Sequence, residues 1–292
     1  MSKKRVRRVR AVAHHLTEAS ARHHEEQVAV EEPLEMRVGG EQYAVTMRTP
    51  GDDFDLVAGF LVGDGVVRGA SDLMSLRYCA GVGPDGLQTY NVVDAGVSPA
   101  ALDLARSRER RVEGTSACGV CGLASLDAVA TISSHDLAAD TTRVDPGVLA
   151  GLPDALRERQ KDFDRTGGVH AAGLFDADGT LLCLREDVGR HNAVDKVVGW
   201  AHREGRLPLG GTVLQVSGRA SFELAQKAVM AGIPVLAAVG APSSLAVDLA
   251  RRSDLTLVGF SRGDRFTVYA GADRVPETTT GTALSPVGAA RP

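Results

Sequence analysis

Four cysteines in 292 residues are too few for a disulfide framework. No apolar run approaches the roughly 20 residues that a membrane span requires. The segment Met1-Ser2-Lys3-Lys4-Arg5-Val6-Arg7-Arg8 is basic, but no apolar signal core follows it, and Arg7-Arg8 is no export signal for the same reason. Neither sign of charge dominates: 33 Lys and Arg stand against 37 Asp and Glu, which gives no reason to expect nucleic-acid or membrane partners. There is no internal repeat. These absences leave a globular chain, expected in the cytoplasm, long enough for one large domain or two modest ones.

The polar and apolar patterning divides the chain. Residues 1–24 are basic and then His-rich, lack a usable apolar period and are expected to form a mobile arm; His14-His15 and His23-His24 read as tail rather than as metal ligands. Residues 25–110 read as β-rich. Gly39-Gly40 between two alternating runs signals a two-residue hairpin, Pro50-Gly51-Asp52-Asp53 starts a helix over residues 54–62, and strands fit residues 73–79 and 87–93. Residues 111–135 hold a cysteine loop, entered through the basic run Arg106 to Arg111. From residue 136 to 274 a helix (residues 146–163) is followed by short apolar strands alternating with helices, the mark of a layered α/β sheet with helices on both faces, whose crossovers between Val213 and Phe260 make it parallel. Residues 275–292 are rich in Thr, Ala, Gly and Pro and are expected to be disordered.

Two features carry chemistry. The first is Cys118-Gly119-Val120-Cys121-Gly122. Two thiols three residues apart, beside basic residues and flexible glycines, suit sulfur transfer or redox cycling, half of a zinc site, or a structural role. A closed zinc site would need a second cysteine pair or suitably spaced histidines, and the chain has neither. Cys79 and Cys183 fall in apolar strands and read as small core residues. The second feature is a series of polar loops at the ends of neighbouring strands: Arg185 to Asn192, Ser217-Gly218-Arg219-Ala220-Ser221, Gly240-Ala241-Pro242-Ser243-Ser244, and Phe260-Ser261-Arg262-Gly263-Asp264-Arg265. Helix starts favour anions, arginines clamp phosphates, and Asp264 suits the donor edge of a guanine. Each loop read alone is equally well a helix cap or a turn.

Together these residues resemble the FdhD/NarQ family of formate dehydrogenase accessory sulfurtransferases. The resemblance rests on Cys118 to Gly122, on Glu186-Asp187-Val188-Gly189-Arg190-His191-Asn192-Ala193-Val194-Asp195-Lys196, on Ser217-Gly218-Arg219, on Thr49 to Asp53 with Gly59-Phe60-Leu61, and on Thr166 to Ala172. It spans roughly residues 27 to 270. It implies a cytidine-deaminase-like fold for the C-terminal part and a cytoplasmic, homodimeric sulfur carrier. Sulfur would come from a cysteine desulfurase as a persulfide and pass to Mo-bis(molybdopterin guanine dinucleotide), bound as substrate, before the cofactor enters formate dehydrogenase. Carried over, Cys118 matches the persulfide cysteine, Cys121 its partner, and Phe260, Ser261, Arg262, Gly263, Asp264 and Arg265 the guanine-dinucleotide segment. One departure from that wider fold is plain. Ser217 to Ser221 stands where a deaminase has its zinc cysteines, so no deaminase zinc site closes, and His191 is left as a cofactor contact or a cap. The rival readings are a chaperone that binds the guanine nucleotide or cofactor non-covalently with incidental thiols, and a zinc hydrolase.

Overall fold

The computed structural model describes residues 4–17, 20–79, 81, 89–112 and 133–277. Its architecture is mixed α/β, in layers. A small sheet of order β4-β3-β6-β5 is formed by β3 (Glu32–Val38), β4 (Glu41–Arg48), β5 (Leu73–Tyr78) and β6 (Val92–Val97). The Gly39-Gly40 turn has positive φ at both residues, which a tight hairpin requires and glycine supplies without strain. β6 lies later than the sequence pattern suggests. Its Asp94 and Gly96 hide its period, yet it runs parallel to β3 and antiparallel to β5.

The large sheet has the order β12-β11-β10-β9-β7-β8. Its strands are β7 (His170–Asp176), β8 (Leu181–Asp187), β9 (Thr212–Val216), β10 (Val235–Ala238), β11 (Thr256–Arg262) and β12 (Arg265–Ala270). β9, β10 and β11 are parallel, as expected from the alternation of strands and helices. Alternate residues face opposite ways along each strand, so Leu214 and Val216 join one core while Val213 joins another. α3 (Pro146–Arg157) covers the second face, through Leu149, Leu152 and Leu156. The first face is covered by α5 (Arg190–Arg203), α6 (Phe222–Met230) and α7 (Ser244–Arg252). α1 (Asp53–Gly63) lies against α5, and its Leu56, Val57 and Leu61 share one core with Leu34, Met36, Val93 and Ala95 of the small sheet. Two sheets are therefore joined through a pair of crossed helices.

That crossing is unusually close. A Cβ on Gly59 of α1 would stand 1.8 Å from the carbonyl oxygen of Asp195, and one on Gly199 of α5 would stand 1.8 Å from that of Asp55. Backbone meets backbone here, so only glycine fits at either position.

Three expectations are corrected. The arm of residues 1–24 is no free tail: β1 (Val6–His15) and β2 (Ser20–Ala29) pair along their whole length as an antiparallel ribbon. Its weak period of Val9, Ala11 and Ala13 gives little burial, and the order comes from cross-strand pairing and from Arg5 at its base. The basic run Arg106 to Arg111 lies in a helix, α2 (Pro99–Val112), which the β-rich reading missed; Ala101 and Ala105 bury one face of it. Of residues 275–292, Val275 packs against the second core, and residues 278–292 lie outside the described part. Of the two strand cysteines, Cys183 is buried, with burial pushing its thiol up to about 12, whereas Cys79 is only partly covered.

Gly59→Ala or Gly199→Ala is expected to cost about 3 kcal/mol or more, because neither helix backbone can withdraw without opening both cores. A shift in the urea midpoint measures it, and an unshifted midpoint would refute the close crossing.

Candidate functional site

The parallel strands β9, β10 and β11 end together at one edge of the large sheet, and backbone bonds lace their following loops. Gly240 N–H donates to the carbonyl of Gly218 (2.9 Å), and Phe260 N–H donates to that of Gly240 (3.1 Å). The helices that follow are capped in the usual way. Ser221 Oγ accepts from Leu224 N–H and Ser243 Oγ from Ala246 N–H, so both hydroxyls belong to the helix ends.

An open cleft of about 610 Å³ lies over these strand ends. Its floor is Ser217, Val239, Ser261, Arg262 and Gly263. One wall comes from α3 and from α4 (Lys161–Thr166), with Asp154, Arg157, Gln160 and Phe163. Gly167, Gly168 and His170 close the remaining side. The Arg157 guanidinium lies 4.7 Å over the Phe163 ring. Burial pushes His170 below 6.5, and Arg190 and His191 beside it add to that, so the ring is neutral at neutral pH. Gln160 is almost fully buried, and no hydrogen bond occupies its side-chain amide or the Asp154 carboxylate among the described residues. The cleft thus offers a guanidinium, a carboxylate, an amide and an aromatic face at a size that suits a nucleotide-like ligand.

The motif beside it does different work. Asp187, at the end of β8, is fully buried and accepts four bonds: from Gly189 N–H (2.9 Å), Asn192 Nδ2 (3.1 Å), Thr49 N–H (3.1 Å) and Lys196 Nζ (2.7 Å). Lys196 also donates to the Thr49 carbonyl (2.9 Å), and Asn192 to that of Met47 (2.8 Å). Burial pulls the Lys196 ammonium down while Asp187 opposes it. Glu186 accepts from Asp162 and Phe163 N–H, both at 2.9 Å, and so caps α4 in the cleft wall. These residues fasten the β4–α1 loop to the large sheet. His191 is neither a cleft residue nor a cap. Its Nε2 sits 2.8 Å from Glu223 Oε2 and 3.2 Å from Ser221 Oγ, tying the starts of α5 and α6 together.

The structure distributes the sequence candidates unevenly. Ser261, Arg262 and Gly263 line the cleft, though the Ser261 hydroxyl turns away to the Leu149 carbonyl. Phe260, Asp264 and Arg265 lie on the same hairpin outside the lining; Arg265 faces Arg262 across β11 and β12. Phe260 is 43% exposed and adopts a positive φ of 53°, a strained state for an aromatic residue. Cys118 and Cys121 lie outside the described residues. Asp154, Arg157, Gln160 and Phe163 carried no signal in the sequence beyond a helical stretch. Among the described residues no three His, Cys, Asp or Glu side chains gather as for a metal ion, and no helix is long and apolar enough to cross a membrane.

The FdhD/NarQ family model matches residues 29–276. The chain belongs to this family. A relative from Mycolicibacterium paratuberculosis, named sulfur carrier protein FdhD, is 57% identical over 89% of this chain and 96% of its own. A relative of the same name from Streptomyces coelicolor is 62% identical over 85% of this chain and 88% of its own. The crystal structure of a putative formate dehydrogenase accessory protein from Desulfotalea psychrophila superposes with a TM-score of 0.71 at 23% identity, covering 94% of this chain and all of that one, and so shares the fold. The Asp187 fastening and the strand-end cleft both lie inside the stretch that the family model matches.

Lys196→Met should destabilise the fold by about 3 kcal/mol, since it strands a buried carboxylate, as a urea titration would report. Acid should also weaken the fold. Burial holds His135, His170 and His202 below 6.5, so the unfolded chain takes up protons first. Their stabilising contribution is complete above pH 6.5 and falls as the pH drops through that value. A urea midpoint at pH 5.5 no lower than at pH 7.5 would contradict this.

Proposed function

We propose that the chain is a sulfur carrier for formate dehydrogenase. The family membership, with relatives named sulfur carrier protein at 57% and 62% identity over most of their length, carries this reading. In it Cys118 works as a sulfurtransferase in the cytoplasm. Its thiolate attacks the terminal sulfur of a persulfide on a cysteine desulfurase, the sulfur–sulfur bond of the donor breaks, and the donor cysteine leaves as a thiolate. Cys118 then carries the persulfide. Attack by the Cys121 thiolate on the Cys118 sulfur releases the terminal atom as sulfide to the metal of the substrate. The two cysteines are left as a disulfide, which a dithiol reductant resets.

The substrate in this reading is Mo-bis(molybdopterin guanine dinucleotide), with one nucleotide end in the strand-end cleft. Arg262 and the backbone of Gly263 suit its phosphates. Phe163 with its stacked Arg157 suits a purine face. The charged sulfur acceptor is then handed on to the dehydrogenase.

After incubation with a cysteine desulfurase and cysteine, mass spectrometry should find one added sulfur on Cys118. Cys118→Ala should abolish sulfuration and dehydrogenase activation while changing the affinity for GDP by less than about twofold. Full activation by the variant would refute the carrier role. Wild-type protein that ignores GDP would refute the cleft assignment alone.

A further inference from the structure

A second groove lies behind the wall of the cleft. It has a volume of about 600 Å³ and is open to solvent. Leu181 and Leu184 of β8 form its floor, and Arg159 and Lys161 form one side. These two cations flank Gln160 in the short turn between α3 and α4, so the amide enters the cleft while its neighbours line the groove. A single turn of chain thus separates the two depressions.

Every acidic group of the groove is already taken. Asp162 and Asp52 accept from Arg5, at 2.5 Å and 3.2 Å. The Glu186 carboxylate accepts from Asp162 and Phe163 N–H, both at 2.9 Å. Arg5 and Arg185, the other two cations of the lining, are spent on acids in turn, Arg185 on Asp55 at 2.8 Å. Arg159 and Lys161 are not. Both are exposed, and neither side chain has a partner among the described residues. Glu158, earlier in the same turn, does not line the groove. In a chain of net charge -4, two cations here stand without an anion.

The floor is also an edge, since β8 lies at the end of the large sheet. Ser217 N–H donates to the Ala171 carbonyl on the β9 side, and Ala172 pairs with Arg185, so Leu184 and Glu186 turn their backbone groups away from β7. Arginines cover both outward carbonyls: Arg185 Nη1 donates to that of Leu184 (3.1 Å) and Arg5 to that of Glu186 (2.8 Å). Their N–H groups have no acceptor among the described residues. The groove therefore presents cations and donors over an apolar floor. A free phosphate would satisfy the donors but leave Leu181 and Leu184 bare. A protein segment with carboxylates beside aliphatic side chains answers both, and an open strand edge is where such segments dock.

We infer that the groove between β8 and the α3–α4 turn is a docking site for an acidic segment of a partner protein, whose carboxylates pair with Arg159 and Lys161 while an aliphatic side chain covers Leu181 and Leu184. The site stands apart from the strand-end cleft and does not depend on what that cleft binds.

Fluorescence anisotropy of a labelled, end-blocked peptide of sequence Glu-Leu-Asp-Leu-Asp-Leu-Glu tests it on the full chain. In about 50 mM NaCl the wild type should bind it with a Kd below about 100 µM. The same peptide with Gln and Asn in place of its acids should bind at least about tenfold more weakly, and the acidic peptide should bind Arg159→Glu with Lys161→Glu at least about tenfold more weakly too. Both side chains are exposed, so the thermal melt of this variant by circular dichroism should not move. GDP should not displace the peptide. Four results overturn the inference: no binding to the wild type at peptide concentrations up to about 1 mM, equal binding of the neutral peptide, full affinity in the charge-reversed variant, or displacement by GDP or by about 10 mM inorganic phosphate at constant ionic strength. Should the charge-reversed variant fail to fold, Arg159→Ala with Lys161→Ala decides in its place.

Discussion

The structure depends on the buried carboxylate of Asp187. Besides the β1–β2 ribbon, a large and a small sheet share this chain, and a hydrophobic core by itself does not fix how one is rotated against the other. Four directed bonds do. Asp187 takes donors from Thr49, Gly189, Asn192 and Lys196, and so ties the loop after β4, the start of α5 and the end of β8 to one point. A carboxylate and an ammonium buried together gain little net stability over an apolar pair, but any other arrangement would leave a bare charge in the interior. The arrangement is therefore held by what misplacement would cost. The glycine crossing of α1 and α5 follows from it, since the helices approach so closely only when the β4–α1 loop is drawn onto the sheet.

Once that registration is set, the cleft has little freedom. Its floor is made of strand ends whose loops are bonded to one another, and its wall is α4, capped by Glu186 from the residue next to Asp187. The same short segment thus anchors the two sheets and shapes the side of the cleft. Arg5 adds a third tie by reaching the Glu186 carbonyl and Asp162, which places the base of the ribbon against the back of that wall.

Much of the large sheet was legible because short apolar strands between amphipathic helices admit few other arrangements. The Gly39-Gly40 hairpin was legible because only a turn needs that pair. The ribbon and α2 were not. Val9, Ala11 and Ala13 alternate too weakly to signal a strand, and in α2 the basic residues outweigh the small Ala101 and Ala105 that it buries. β6 was misplaced because its buried Asp94 reads as surface, yet it accepts from Gly40 N–H and Arg77. In the cleft, the strand-end loops were visible as polar punctuation. Asp154 and Gln160 were not, because a carboxylate and an amide on a helix look the same in sequence whether they face water or a ligand.

Polar residues in a motif are therefore poor guides to a site until their bonds are assigned. The run Glu186 to Lys196 has the look of an active centre, with acid, base and amide within eleven residues. Its hydrogen-bonding capacity is largely consumed inside the fold: Glu186 by α4, Asp187 and Lys196 by each other and Thr49, Asn192 by Met47, and His191 by Glu223. Apart from the buried Arg190 Nε, which has no partner among the described residues, what remains free is elsewhere. Asp154, Gln160 and the His170 ring bond to no side chain or backbone among the described residues, and all three line the cleft. The polar groups left open to a guest are therefore those of the cleft wall, not those of the motif.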